Sequence, residues 1–185
     1  MTVTHKTRRG TLYYLHQGVT KTGKPKYYFS RKSNGTLADK IPPGYEIYET
    51  VNAQVFLRRK EPAIIQKSEI AAVKKHLPKD APDWLFKIEV RKNMIVIHDT
   101  QESSWMPFEF GGRSIWDNYQ RAHAHYMPAM RFILEDPEKR IFSPERLSFR
   151  GPEDKWISIG PPDTLEALAK KYLRHLGQDS IFELY

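Results

Sequence analysis

The sequence predicts an α+β protein built from short antiparallel β-hairpins with about three helices and a basic N-terminal sheet. Short runs rich in aromatic and β-branched residues alternate with Gly, Pro and Asn clusters, which is the punctuation of hairpins. Three other segments carry apolar residues at helical spacing, and two of them are bounded by start and stop signals. The third observation is charge, which is gathered at one end of the chain.

The elements follow in order. Thr11 to His16 and Lys26 to Ser30 read as two strands joined at Thr22-Gly23-Lys24-Pro25. Ser33-Asn34-Gly35 and Pro42-Pro43-Gly44 are further turns, leading to strands at Tyr45 to Glu49 and Gln54 to Arg58. Residues 10–60 therefore form a small antiparallel sheet. Ser68 can cap a helix running to Leu77, with Ile70, Val73 and Leu77 on one face and Pro78 as the stop. Trp84 to Val90 and Met94 to His98 are the arms of a second hairpin about Arg91-Lys92-Asn93. A helix from Ser114 to His125 places Trp116, Tyr119 and His123 on one side and ends before Pro128. Met130 to Glu135 is a strand, and Arg146 to Phe149 with Lys155 to Ile159 is a third hairpin about Gly151-Pro152. The last helix, over 164–176, has a capping pattern at Asp163 and Glu166. Its apolar stripe is Leu165, Leu168, Ala169, Tyr172, Leu173 and Leu176, and Gly177 is the stop.

Composition sets the outer limits. With 185 residues, 39% hydrophobic and 28% charged, the chain can bury a core without staples and is too apolar to be disordered. It has no cysteine, which excludes disulfides and cysteine-rich zinc sites. The N-terminus lacks the apolar run of a signal peptide, and no stretch approaches the roughly 18 apolar residues of a membrane helix. A cytoplasmic protein with no membrane partner is the expectation.

The formal net charge is +8. Residues 1–60 hold 12 Lys and Arg against 3 acids, whereas residues 61–185 hold 18 against 19. The composition changes near Glu61-Pro62, so the sequence divides into a basic β module over 1–60 and an α+β portion over 61–185, with one continuous domain as the alternative. An unbalanced positive surface attracts polyanions and gains from counterion release. The expected function is nucleic-acid binding, DNA or RNA, with the phosphate backbone held by Arg8, Arg9, Lys21, Lys24, Lys26, Arg31 and Lys32. Tyr14 and Tyr28 are the aromatic residues placed to stack on bases.

Two alternatives stand beside that reading. One is an enzyme acting on nucleic acid or nucleotides, with His98, Asp99, Glu102, Glu109 and Arg113 around one site: a strand end that delivers His and Asp into an irregular loop suits acid–base chemistry. Gly111-Gly112-Arg113 before a helix could hold one anion, yet no phosphate-loop or dinucleotide spacing is present, and no cofactor is expected. The other is a protein-interaction module using edge strands or the polar face of the last helix. His123-Ala124-His125 suggests no metal site, because residues two apart on a helix point roughly 200° apart; one packed and one exposed histidine is the expectation.

Overall fold

A computed structural model describes residues 1–100, 113–148 and 155–185. The fold is mixed α+β, with every strand pairing antiparallel. The chain separates into two compact units, Met1–Pro62 and Ala63–Tyr185.

Unit 1 contains two small sheets. Strands β1 (Thr4–Lys6), β2 (Leu12–Val19) and β3 (Pro25–Ser30) form a meander in that order, and β4 (Tyr45–Glu49) pairs with β5 (Val55–Arg59). The single sheet expected over 10–60 is thus two, and β1 adds a strand that begins before residue 10. Because Leu12 pairs with Lys6, Tyr14 with Thr4 and Ser30, and His16 with Tyr28, these residues share one face of the meander. The opposite face carries Leu15, which is fully buried, with Phe29 as its cross-strand partner. Beyond Ser30 the chain passes over the first face and returns at Leu37, which bridges to His16. Backbone bonds from Gln17 to Thr36 and from Ala38 to Leu15 complete that edge of β2.

Three loops of unit 1 share one construction. Thr7–Thr11, Thr20–Lys24 and Thr50–Gln54 each begin with threonine, and the threonine hydroxyl accepts the backbone N–H of the fifth residue at 3.1 Å. The fourth residue, Gly10, Gly23 or Ala53, has φ of 80°, 76° or 59°. A three-residue hairpin loop that closes through a left-handed residue needs such a φ, which glycine supplies without penalty and alanine does not.

Unit 2 is a five-strand path of order β10-β9-β8-β7-β6, with β11 also pairing to β9. The strands are β6 (Phe86–Arg91), β7 (Met94–Thr100), β8 (Tyr126–Asp136), β9 (Ile141–Ser148), β10 (Lys155–Ser158) and β11 (Asp163–Thr164). One face carries Phe86, Ile95, Ile97, Met130, Phe132 and Phe142 into the main core. Helices α1 (Lys67–His76) and α3 (Leu165–Tyr172) supply Val73, Leu165, Leu168, Ala169 and Tyr172 to that same core. All six residues of the predicted α3 stripe are at most 4% exposed. Its last part, Leu173–His175, continues as a 3-10 turn, and Gly177 follows at φ 71°.

Several boundaries differ from the sequence expectation. Helix α1 starts at Gln66 rather than Ser68, because the Glu69 carboxylate accepts the Gln66 N–H at 2.7 Å. The same carboxylate accepts from Nε of Arg140 at 2.8 Å, and the second Arg140 nitrogen reaches the Ile64 carbonyl, so the β8–β9 turn holds the helix entry. Thr164, not Asp163, is the N-cap of α3, and Glu166 turns away to Lys75 and His76, both at 2.8 Å. Helix α2 (Arg113–His123) ends before His125; among its described side chains Gln120 is buried, as is Ala124 just past its end, whereas Tyr119 and His123 are exposed. Pro128 does not end that helix; it lies in β8 at a bulge opposite His98, where a missing N–H is tolerated. The expected turn at Gly151-Pro152 lies outside the described residues. No helix among them is long and apolar enough to cross a membrane.

Candidate nucleic-acid interface

The cations named from sequence fall at the margins of the β1–β2–β3 meander. Arg8 and Arg9 occupy the first threonine loop, and Lys21 and Lys24 the second. These loops lie at opposite ends of β2, about 30 Å apart at the usual strand rise. Lys26 projects from β3 on the His16–Tyr28 face, and Arg31 and Lys32 follow β3 directly. All seven are exposed. Arg31 leans on Tyr13, its guanidinium 5.8 Å from the ring centroid and its Nε donating to the hydroxyl at 3.4 Å.

The few acids of unit 1 are largely occupied within it. Glu49 accepts from His5 Nε2 at 2.7 Å and from the Arg8 backbone N–H at 3.1 Å. Glu46 pairs with Arg58 at 2.8 Å, and that guanidinium also lies 4.2 Å from the Tyr48 ring centroid. Residues 1–62 carry 12 Lys and Arg against 4 acids, and residues 63–185 carry 18 against 18. The whole +8 of the chain therefore belongs to unit 1.

Of the two predicted stacking residues, Tyr28 is the open one, 46% exposed, while Tyr14 is half-buried. The Tyr28 ring lies against His16 with centroids 5.1 Å apart and planes 13° from parallel. His16 is only 4% exposed and its Nε2 donates to the Lys32 carbonyl at 2.8 Å. The strap from Lys32 to Gly35 thereby pins the imidazole, and the imidazole supports the tyrosine. Lys26 Nζ stands 5.5 Å from the Tyr28 centroid.

The residues named for catalysis have a different setting. His98 and Asp99 lie inside β7, not in a loop, and as successive strand residues they point to opposite faces of the sheet. His98 is 2% exposed; its Nε2 is 3.4 Å from Glu89 Oε2, and Arg91 stands 2.7 Å from the same oxygen. Neither contact is an aligned hydrogen bond, and Glu89 and His98 Nδ1 accept none. Burial holds His98 below its ordinary pKa, opposed by the Glu89 charge. Burial pushes the Asp99 carboxyl up to about 6. Glu102 and Glu109 lie outside the described residues, and Arg113 is the first residue of α2.

Sequence reasoning missed Glu89 as the neighbour of His98. Its only signal was the hairpin itself: Lys87 pairs with His98 and Glu89 with Val96, so Glu89 and His98 sit diagonally on one face. His123 and His125 are both exposed, with His123 against Tyr119 at 4.5 Å between ring centroids; neither is packed away as expected. No cluster of metal-binding side chains occurs among the described residues. The polar side of α3 presents Lys170 and Lys171, with Arg174 in the 3-10 turn that follows, while Glu166 is engaged by α1.

Comparison with protein families, with characterised proteins and with solved structures gives no match in any of the three.

Proposed function

We propose that this chain binds nucleic acid through unit 1, with the cations of the two threonine loops, Lys26, Arg31 and Lys32 on the phosphate backbone. The observation that carries this reading is the segregation of charge: one unit holds all of the excess, the other is balanced. A balanced unit gains little from a polyanion, whereas an unbalanced one releases counterions for each phosphate it neutralises. The loops keep their cations exposed on short rigid turns, which lowers the ordering cost of binding. Binding should therefore weaken steeply with salt. With four to six phosphates engaged, log affinity should fall against log salt with a slope of about −3 to −5. Fluorescence anisotropy of labelled oligonucleotides over a salt series measures it, and a slope near zero would remove the proposal.

The enzyme reading keeps one supporting observation, the Glu89–His98 pair. An acid beside a histidine that is held neutral is the arrangement a proton relay uses. At 2% exposure, however, His98 offers no surface to a substrate. The binding reading uses more of what the molecule displays.

A further inference from the structure

We propose that the outward face of the Tyr28 ring is a stacking surface for one base of a single-stranded nucleic acid. This rests on the nucleic-acid reading and narrows its ligand from any polyanion to unpaired strands.

Three features of the ring carry the inference. First, it is presented rather than merely exposed. One of its faces lies against the His16 imidazole at 5.1 Å and 13°, the residue is still 46% exposed, and over the ring stands the flexible Lys26 ammonium, 5.5 Å from the centroid, which an incoming base can displace toward its own phosphate. Second, its support is fixed. His16 is buried under the strap and bonded to the Lys32 carbonyl, so His16 and Tyr28 form a short stack anchored at its inner end. A base added outside would extend that stack by one ring, with little side-chain order left to impose. Third, the surroundings suit the rest of a nucleotide. Lys26 lies within 5.5 Å of the ring centre, and the strap Arg31-Lys32-Ser33-Asn34-Gly35 contains no acid.

The structure of the ligand then decides its class. A base inside a duplex has both faces occupied by its neighbours, and freeing one costs a few kcal/mol. An unpaired strand offers its bases to aromatic rings at no such cost, and stacking of this kind tolerates any base.

The test compares three probes on the full chain: a twelve-nucleotide oligothymidylate, an abasic oligomer of the same phosphate number, and a duplex of equal length. The variants are Tyr28→Phe, Tyr28→Leu and Tyr28→Ala. Leucine keeps an apolar cover over His16 without a π-face, which guards against a mere loss of folding. Tyr28→Phe should bind as the parent does. Tyr28→Leu and Tyr28→Ala should bind oligothymidylate about tenfold more weakly and leave the abasic oligomer unchanged. Equal losses on both oligomers, no loss on either, or a parent that prefers the duplex would overturn the stacking proposal while leaving phosphate binding in place. Failure of the parent to bind any of the three at low salt would overturn both.

Discussion

Ala53 closes the same loop that glycine closes at positions 10 and 23, yet it does so at φ 59°. A left-handed alanine carries about 1 kcal/mol of strain that glycine lacks. Ala53→Gly should therefore raise stability by about 0.5–1 kcal/mol in urea denaturation, and Gly23→Ala should lower it by a similar amount. Equal and opposite effects would establish that the loops are one device; an unstable Ala53→Gly would show that the small methyl, 7% exposed, matters more than its backbone. Asp99 gives a second residue-scale prediction. Its folded pKa, near 6, exceeds the ordinary 3.8, so the folded chain holds its proton more tightly than the unfolded chain does. Stability from this residue is present at pH 3.8 and below, and is lost as pH rises through 6. Asp99→Asn should thus gain about 1–2 kcal/mol at pH 7.5, discounted for partial exposure, and nothing at pH 4. His98 acts in the opposite sense: its depressed pKa means stability is lost as pH falls below 6.5, and this loss should stand alone in the Asp99→Asn background. A gain independent of pH would mean the Asp99 charge is not what the fold resists.

At the scale of elements, the packing of α3 on the sheet depends on a position with no side chain. Tyr172 is 1% exposed and its hydroxyl donates to the Ile159 carbonyl at 2.9 Å. A methyl on Gly160 would collide with that hydroxyl. Gly160→Ala should cost about 1–3 kcal/mol by overpacking, and adding Tyr172→Phe should recover part of it, as a double-mutant cycle would show. This contact was not legible in the sequence, because Gly160 and Tyr172 lie on different elements and meet only through the tertiary fold. Helix α3 itself was legible, since its stripe repeats at helical spacing and needs no partner to be recognised. The start of β9 was not. Pro144 argues against a strand interior, but β9 pairs with β11 at Ile141 and Phe142 and with β10 from Glu145 to Ser148. The proline lies where its second neighbour changes, so its missing N–H interrupts neither pairing. Likewise the cap of α3 was misread because Glu166 answers to a distant residue, Lys75, that no local pattern reveals, whereas the cap of α1 is a local box from Gln66 to Glu69 that was passed over in favour of Ser68.

At the scale of the molecule, charge was the most legible property, because a sum over residues does not depend on where they fold. Alternation within a strand also said that one tyrosine of each Tyr-Tyr pair faces outward, but that Tyr14 and Tyr28 share a face needed the register of β2 and β3. What alternation could not supply was the strap that crosses the face and fixes His16, since its course depends on the return to Leu37. The Glu89–His98 pair shows the same limit, as it needed the register of a hairpin. The central claim is that the charge of unit 1 works by its placement and not by its amount. The most direct test exchanges Lys21, Lys24 and Lys26 for Glu in one variant, and Lys67, Lys155 and Lys170, all exposed in unit 2, for Glu in another. Both variants lose the same net charge. The account predicts that, at physiological salt, the first loses single-strand binding by about a hundredfold or more while the second stays within a fewfold of the parent. Equal losses in the two would contradict it, and would assign the affinity to net charge alone.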